Sequence, residues 1–257
     1  MIILKIELKN RAEIRAIEER ARLKIGAYEP LDIFKILRNE ENISIVITKL
    51  VGEISGFYLK KIDGLIVINA NRSLGHQNFT AAHEYYHFKY DTGLNGKICA
   101  IKSYEDDYDN ELEANYFASY FLMPDDALRY NLNKRLSRRN IALADLIYFE
   151  NYFMISHALM LRRLKEMNII TEQQRNEMKI GIISNAKKLG YSTKLYEKTE
   201  TDIPIIFSEY AEIANDLLNE GKITNGKYEE LLIDGGYLDL IVNGAEEEIS
   251  DEETINF

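Results

Sequence analysis

The chain has 257 residues, of which 46% are hydrophobic and 29% are charged, and its formal net charge is −10. This length fits one large domain or two modest ones, and the apolar fraction is sufficient for a real core, so global disorder is excluded. No apolar run reaches the length of about eighteen residues that a membrane-spanning helix needs. The single cysteine, Cys99, excludes an internal disulfide framework. The chain start lacks the features of a signal peptide, so we expect a cytoplasmic protein, and the acidic balance argues against a general nucleic-acid binder.

The first part of the chain predicts a strand and two helices. Residues 1–7 alternate between apolar and polar as a strand does. Apolar residues at near-helical spacing predict a helix over 11–26 with Gly26 as its stop, and residues 31–37 predict a second, short helix after Pro30.

Three β-like runs follow, at residues 43–47, 56–59 and 65–68. Short turn-rich segments separate them, which predicts a small three-stranded sheet with a hairpin between the last two strands. From Phe79 onward the pattern is mostly helical, so the predicted fold class is α+β with a majority of helix.

The chain divides into a main body and an acidic end. A loose stretch at 190–204, which begins at Gly190, ends at Pro204 and contains Ser192 and three threonines, is the best linker candidate. We predict a first domain at 1–128, a helical region at 129–190 and an acidic helical segment at 191–257. The last 61 residues contain 17 acidic and 3 basic side chains, whereas the body before them is mildly basic.

One short motif carries metal chemistry. Residues 83–87 read His-Glu-Tyr-Tyr-His, and on a helix His83 and His87 lie one turn apart on the same face. Both imidazoles can then reach one metal ion, and Glu84 lies beside them as a candidate general base.

A hydrolytic zinc site needs a third protein ligand and an open position. Tyr90 and Gly93 stand where a further Gly and His would extend the motif, so a third histidine does not follow it. The other two histidines, His76 and His157, lie in a predicted loop and a distant helix and are weak candidates.

A carboxylate on a second helix is the better third ligand. Residues 109–123 form a strong amphipathic pattern that ends at Pro124. On a helical projection, Glu111 lies roughly 50° from the centre of the apolar face and Glu113 roughly 110° from it. Glu111, with Asn115 one turn further along the same side, is therefore the predicted ligand, and Glu113 is the reserve.

The two motifs together, residues 79–87 and 111–124, resemble the ImmA/IrrE family of metallo-endopeptidases, and the resemblance extends over about residues 25–170. It implies a zincin-like, gluzincin-type protease domain with Zn²⁺ held by His83, His87 and a Glu of the second helix, and with Glu84 as general base. Such proteins act inside bacteria, phages and mobile elements, where many cleave or inactivate a helix-turn-helix repressor.

The sequence departs from this family at Tyr85 and Tyr86, where relatives commonly have Leu and Gly. These bulky side chains are expected to leave the metal chemistry intact and to narrow the cleft.

The region after the motifs resembles a helix-turn-helix. A basic run at 129–139 precedes a helix at 143–147 and a second helix at 157–166 that carries Arg162, Arg163 and Lys165. Weak DNA contact through residues 129–165 is one interpretation. Packing or substrate docking is the other, and it is favoured because charge runs usually form solvated faces.

Two functional hypotheses follow from these observations. The first is a zinc metalloprotease that cleaves a DNA-binding repressor encoded nearby and so controls transcription of a mobile element or a stress response. The alternative is a zinc-bound regulatory or antitoxin-like binding module with little proteolytic activity. Glu84 favours the first, since a binding module needs only the metal ligands.

Overall fold

The computed structural model describes residues 2–60, 64–91, 96–100, 108–136, 140–201 and 204–234, and over these ranges the chain forms helices around one mixed sheet. The helices are α1 (Ile2–Arg22), α2 (Ile33–Asn39), α3 (Leu74–Tyr90), α4 (Tyr108–Leu122), α5 (Asp125–Leu136), α6 (Leu143–Phe153), α7 (His157–Glu166), α8 (Glu172–Met178), α9 (Ile182–Lys188), α10 (Glu209–Asn219) and α11 (Asn225–Asp234). The strands are β1 (Ser44–Thr48), β2 (Ile54–Leu59), β3 (Leu65–Asn69), β4 (Gly96–Ala100) and β5 (Ile205–Phe207). The predicted α+β class is confirmed.

The first residues are helical, so the strand predicted at residues 1–7 is wrong. α1 starts at Ile2 and runs to Arg22, and it buries Leu8, Ala12 and Ala16, which recur every four residues. This stripe packs along α4, and the burial of a long helical face outweighs the short alternating pattern. Ile14 and Ile17, two of the apolar residues whose spacing predicted the helix, are 55% and 57% exposed.

The sheet has the order β4-β2-β3-β1-β5 in the described part of the chain. The three predicted strands are confirmed, and β2 and β3 form the predicted antiparallel hairpin. β1 runs parallel to β3, with Ser44 opposite Leu65. Two further strands, β4 and β5, pair antiparallel with the edges, so within the described residues the sheet has five strands instead of the predicted three.

α3 lies across this sheet and contacts β2, β3 and α4. Its first turn approaches the α6–α7 turn so closely that a Cβ on Gly75 would lie 2.6 Å from the backbone nitrogen of Ser156. In the same place Asn78 donates a hydrogen bond to the carbonyl of Met154 at 2.7 Å. The helix-turn-helix-like unit is therefore docked against the start of α3.

The two helices predicted in this unit are present as α6 and α7, and Met154 in the turn between them has a φ of 55°. Arg163, one of the basic residues predicted on the second helix, is buried. It donates to the backbone carbonyl of Ser119 at 2.7 Å and forms an ion pair with Asp125. Its charge therefore stabilises the end of α4 and is not part of a DNA-facing surface, while DNA contact by the rest of 129–165 stays a prediction.

The segment after residue 190 is joined to the main sheet. Thr199 donates its backbone N–H to the carbonyl of Ala70 at 3.0 Å, β5 pairs with β1, and Ser208 caps the N-terminus of α10. Gly221, with a φ of 67°, lies two residues beyond the end of α10. The acidic run 246–253, and Arg138 and Arg139 of the basic run, lie outside the described residues. None of the helices described is long and apolar enough to cross a bilayer.

Candidate metal centre

Three side chains with metal-binding atoms converge between α3 and α4. His83 and His87 lie one turn apart on α3, and Glu111 approaches them from the first turn of α4. Over the described part of the chain, they form the single group of three His, Cys, Asp or Glu residues whose donor atoms lie within 4.8 Å of one another. All three residues are buried, with His83 and Glu111 each 8% exposed and His87 fully enclosed. The cluster is therefore most accessible from the side of His83 and Glu111.

The spacing of these donor atoms fits one tetrahedral ion. Atoms about 2.1 Å from such an ion lie about 3.4 Å from one another. The two Nε2 atoms are 3.1 Å apart, and the oxygens of Glu111 lie 3.3 Å from His83 Nε2 and 3.5 Å from His87 Nε2. Two imidazoles and one carboxylate are also the donor set of many hydrolytic zinc sites. The residues therefore fit zinc in both number and geometry.

The two histidines differ in their surroundings. Burial lowers the pKa of His83, which favours its neutral, metal-binding form. Burial also acts to lower the pKa of His87, but hydrogen bonds to Asp91 and Glu111 outweigh it and raise this pKa to about 9. A histidine binds a metal in its neutral form, so the carboxylates around His87 oppose metal binding by favouring its proton, and they favour it by orienting the ring.

Glu84, the predicted general base, lies beside His83 on α3 and is 1% exposed. It faces β2, where Gly56 lets the helix come close. A Cβ on Gly56 would lie 2.6 Å from Thr80 Cγ2, 2.7 Å from the carbonyl oxygen of Val67 and 3.6 Å from Glu84 Cγ. The missing side chain at Gly56 thus makes room for the helix turn that carries Glu84.

Glu113, the reserve ligand, points to another part of the molecule. It is 1% exposed, and its carboxylate is engaged by Arg11 and Arg15 of α1, the latter at 2.8 Å. A helical projection places Glu113 away from the apolar face of α4, but α1 covers that side as well. The structure therefore brings Glu111, and not Glu113, to the histidines. Asn115, the predicted partner of Glu111, has a side-chain hydrogen bond with His83.

Tyr85 and Tyr86 do not line the cleft, so the expectation that they narrow it is wrong. Both are buried and face α1. Tyr85 donates to Glu19 Oε1 at 2.6 Å, and the hydroxyl of Tyr86 accepts a hydrogen bond from Arg15. The two tyrosines of the motif thus serve the docking of α1.

The two remaining histidines lie outside the donor cluster. His76 is within 3.2 Å of Ser55 Oγ. His157 contacts Glu150 Oε1 at 2.6 Å and the carbonyl oxygen of Met178 at 2.9 Å. Neither histidine contributes to the group of metal-binding atoms.

Asp91 is a functional candidate that the sequence analysis missed. Its Oδ2 lies 3.0 Å from Nδ1 of His87, on the side of the ring opposite the donor cluster. A carboxylate four residues after the second histidine of the motif is the signal that could have found it, because this spacing places both side chains on one face where the helix ends.

Comparison with known proteins agrees with the geometry. Residues 38–165 match the model of the peptidase M78 family, described as an IrrE N-terminal-like domain. The matched range includes all of the residues of the donor cluster, whereas α1, which covers α4, precedes it. No curated protein matches the chain significantly.

Proposed function

The chain belongs to the M78 peptidase family with an IrrE N-terminal-like domain, and on that premise we propose that it is a zinc-dependent endopeptidase. We further propose that its substrate is a helix-turn-helix repressor encoded nearby, so that cleavage switches transcription in a mobile element or a stress response. The family is one of metallopeptidases; the zinc ion, the peptidase activity and the repressor are the parts that we propose.

One observation carries the proposal. The donor atoms of His83, His87 and Glu111 have the separations of three corners of a tetrahedron, and Glu84 follows His83 directly in the same helix. A site that only binds a metal needs the three ligands, whereas a buried carboxylate on the residue that follows the first ligand is a candidate base. The choice of a repressor as substrate is supported by the resemblance to ImmA/IrrE proteins.

The roles of the residues follow from this arrangement. His83, His87 and Glu111 would hold a zinc ion, which when bound polarises the scissile carbonyl and lowers the pKa of the attacking water. Glu84 accepts the proton of that water and delivers it to the leaving amine, so its carboxylate serves as base and then as acid. Its enclosure between α3 and β2 holds it in one place and limits competing solvent.

Glu84→Gln is the test of this mechanism. The amide has nearly the shape of the carboxylate but does not accept a proton, so we expect the variant to keep its zinc and to lose about 10²-fold or more of its cleavage rate. The full chain and the variant are each co-expressed with the neighbouring repressor, fragments are identified by intact-mass spectrometry, and bound zinc is measured by elemental analysis.

Glu172→Gln is a matched control. It makes the same chemical change on the exposed face of α8, where Glu172 pairs with Arg175, and it should cleave like the unmodified protein. If Glu84→Gln cleaved the repressor at the normal rate, Glu84 would not be the general base. Binding of the neighbouring protein without fragments, by both the unmodified protein and Glu84→Gln, would instead favour the regulatory binding module.

A further inference from the structure

Asp91 stands at the junction of three elements around the candidate metal centre. It directly follows the last residue of α3, and its side chain is 7% exposed. A carboxylate in so enclosed a place costs free energy unless several donors compensate it. The identity of these donors indicates what Asp91 does.

The first partner is His87. Asp91 Oδ2 lies 3.0 Å from His87 Nδ1, while Nε2 of the same ring lies 3.1 Å from Nε2 of His83. An imidazole that donates its Nδ1 proton to a carboxylate has its ring plane and tautomer fixed, and its Nε2 lone pair is left for a metal. Asp91 therefore selects the nitrogen with which His87 faces the donor cluster.

The second partner connects Asp91 to the other ligand helix. Asn110 donates from Nδ2 to Asp91 Oδ1 at 2.9 Å, and Asn110 is the residue immediately before Glu111. The two oxygens of one carboxylate thus hold the end of α3 and the start of α4. A shift of Asp91 would move His87 and Glu111 together.

The third contact comes from the sheet. Tyr58 of β2 donates its hydroxyl to Asp91 Oδ2 at 3.2 Å, and Lys60 donates to the backbone carbonyl of Asp91 at 2.5 Å. Tyr58 is fully buried and its ring stacks on that of His87 with 6.1 Å between centroids. The position of Asp91 is therefore fixed relative to β2 as well as to both helices.

We propose that Asp91 is a positioning residue of the metal centre, which orients His87 through Nδ1 and, through Asn110, fixes Glu111 relative to it. The inference rests on the proposed function, because it assumes that these residues hold zinc. It adds a determinant of zinc affinity that neither the motif nor the family match assigns.

Zinc affinity measured by competition with a chromophoric chelator tests this role. Loss of an outer carboxylate partner of a ligating histidine typically weakens metal binding about 10- to 100-fold, and we expect that loss for Asp91→Ala in the full chain. Asp91→Asn retains an acceptor oxygen for His87, so it should restore part of the affinity. Asn110→Ala breaks the connection to α4 and removes a long contact of Asn110 Nδ2 with His87 Nδ1 at 3.5 Å, but it keeps the closer Asp91–His87 contact, so it should give a smaller loss.

Glu150→Gln is the matched control. Glu150 is also a fully buried carboxylate hydrogen-bonded to a histidine, His157, but it lies outside the donor cluster. Its replacement should leave zinc affinity unchanged even if it lowers stability. The melting temperature of each variant, with zinc and with a chelator, separates the two effects, because a positioning role reduces the zinc-induced increase and a purely structural role lowers both temperatures equally.

The measured zinc affinities separate the role of Asp91 from a purely structural one. Asp91→Ala with unchanged zinc affinity, or an equal loss in Glu150→Gln, would overturn the inference. If Asp91→Ala does not fold, Asp91→Asn and Asn110→Ala provide the same comparison. A chain that binds zinc with this dependence but cleaves no repressor would end the proposed function and leave the role of Asp91 intact, whereas a chain that binds no zinc would end both.

Discussion

Glu111 and Glu113 lie two positions apart on α4, yet their carboxylates serve different neighbours. Glu111 turns towards two imidazoles, and Glu113 towards two guanidinium groups of α1. Both are buried, so burial by itself does not distinguish a ligand from a structural carboxylate. The charge of the neighbouring group distinguishes them, because a carboxylate paired with arginine already has its compensating cation.

This difference predicts opposite outcomes for the same substitution. Glu111→Gln removes a direct ligand, so its loss of zinc affinity should exceed the roughly 100-fold that is the upper range for an outer partner. Glu113→Gln should retain zinc but lower the free energy of unfolding by about 1–3 kcal/mol, since Arg15 is left partly buried and Arg11 keeps access to solvent.

Chelator competition and urea denaturation measure these two quantities. Zinc binding by Glu111→Gln at the unmodified level, or loss of zinc in a folded Glu113→Gln, would mean that the third ligand is misassigned. The wild-type chain at the same zinc concentration is the reference, because bound metal itself adds to stability.

At the scale of elements, α3 is supported on several sides. Its N-terminal turn contacts the α6–α7 turn, its middle approaches β2 at Gly56, and Tyr85 and Tyr86 contact α1. The helix-turn-helix-like unit therefore holds the ligand-bearing helix in place, whatever surface it offers to a partner. This arrangement gives residues 143–166 a role in the site that their basic side chains alone did not indicate.

Gly75→Ala tests this contact. The added Cβ would lie 2.6 Å from Ser156 N and 2.8 Å from the carbonyl carbon of Ile155, and backbone atoms cannot rotate away. We expect a loss of about 1–3 kcal/mol in the free energy of unfolding, because the α6–α7 turn must move from α3. Thermal and urea denaturation measure it.

Gly226→Ala in α11 is the control, since no atom lies within 4 Å of its added Cβ. That variant should be as stable as the wild type or more stable by up to about 1 kcal/mol, the usual gain of Ala over Gly in a helix. Equal stability of Gly75→Ala and Gly226→Ala would show that the turn is not held against α3.

At the scale of the whole molecule, contacts far apart in sequence join its regions. β5 extends the sheet that β1 to β4 form, and a buried group around Glu150 joins α6, α7 and the short 3₁₀ helix at Lys194–Tyr196. In that group Glu150 accepts from Tyr196 at 2.8 Å and contacts His157, whose other nitrogen faces the carbonyl of Met178. Both ring nitrogens of His157 thus face acceptors, an arrangement that suits the imidazolium.

The stability of the molecule should therefore depend on pH through His157. Burial acts to lower its pKa, but the hydrogen bond and charge of Glu150 outweigh burial and raise it. A raised folded-state pKa contributes stability that is fully present below the unfolded value of about 6.5 and is lost as pH rises through the folded value.

Urea denaturation of wild type and His157→Ala across this range measures the effect. The difference in unfolding free energy between them should be largest at low pH and shrink above about pH 6.5. A difference that stays constant with pH would mean that His157 contributes packing alone.

The sequence by itself determined the features that depend on local spacing. The His83–His87 pair and Glu84 follow from one helical turn, the β2–β3 hairpin from two short apolar runs, and the family from two motifs. Glu111 was also predictable, because its angle to the apolar face of α4 indicated an inward position. These features require only the geometry of a single helix or hairpin.

Only the tertiary structure decided which surfaces meet. Residues 2–7 are helical because they extend α1, whose buried stripe from Leu8 onward packs on α4, and the contact with α1 also buries Glu113. β5 joins a sheet formed more than a hundred residues earlier, and Asp91 became visible as a partner of His87 only when Tyr58 and Asn110 converged on it. Each of these depends on contacts between distant segments, where packing free energy overrides local pattern and no spacing along the chain records the partner.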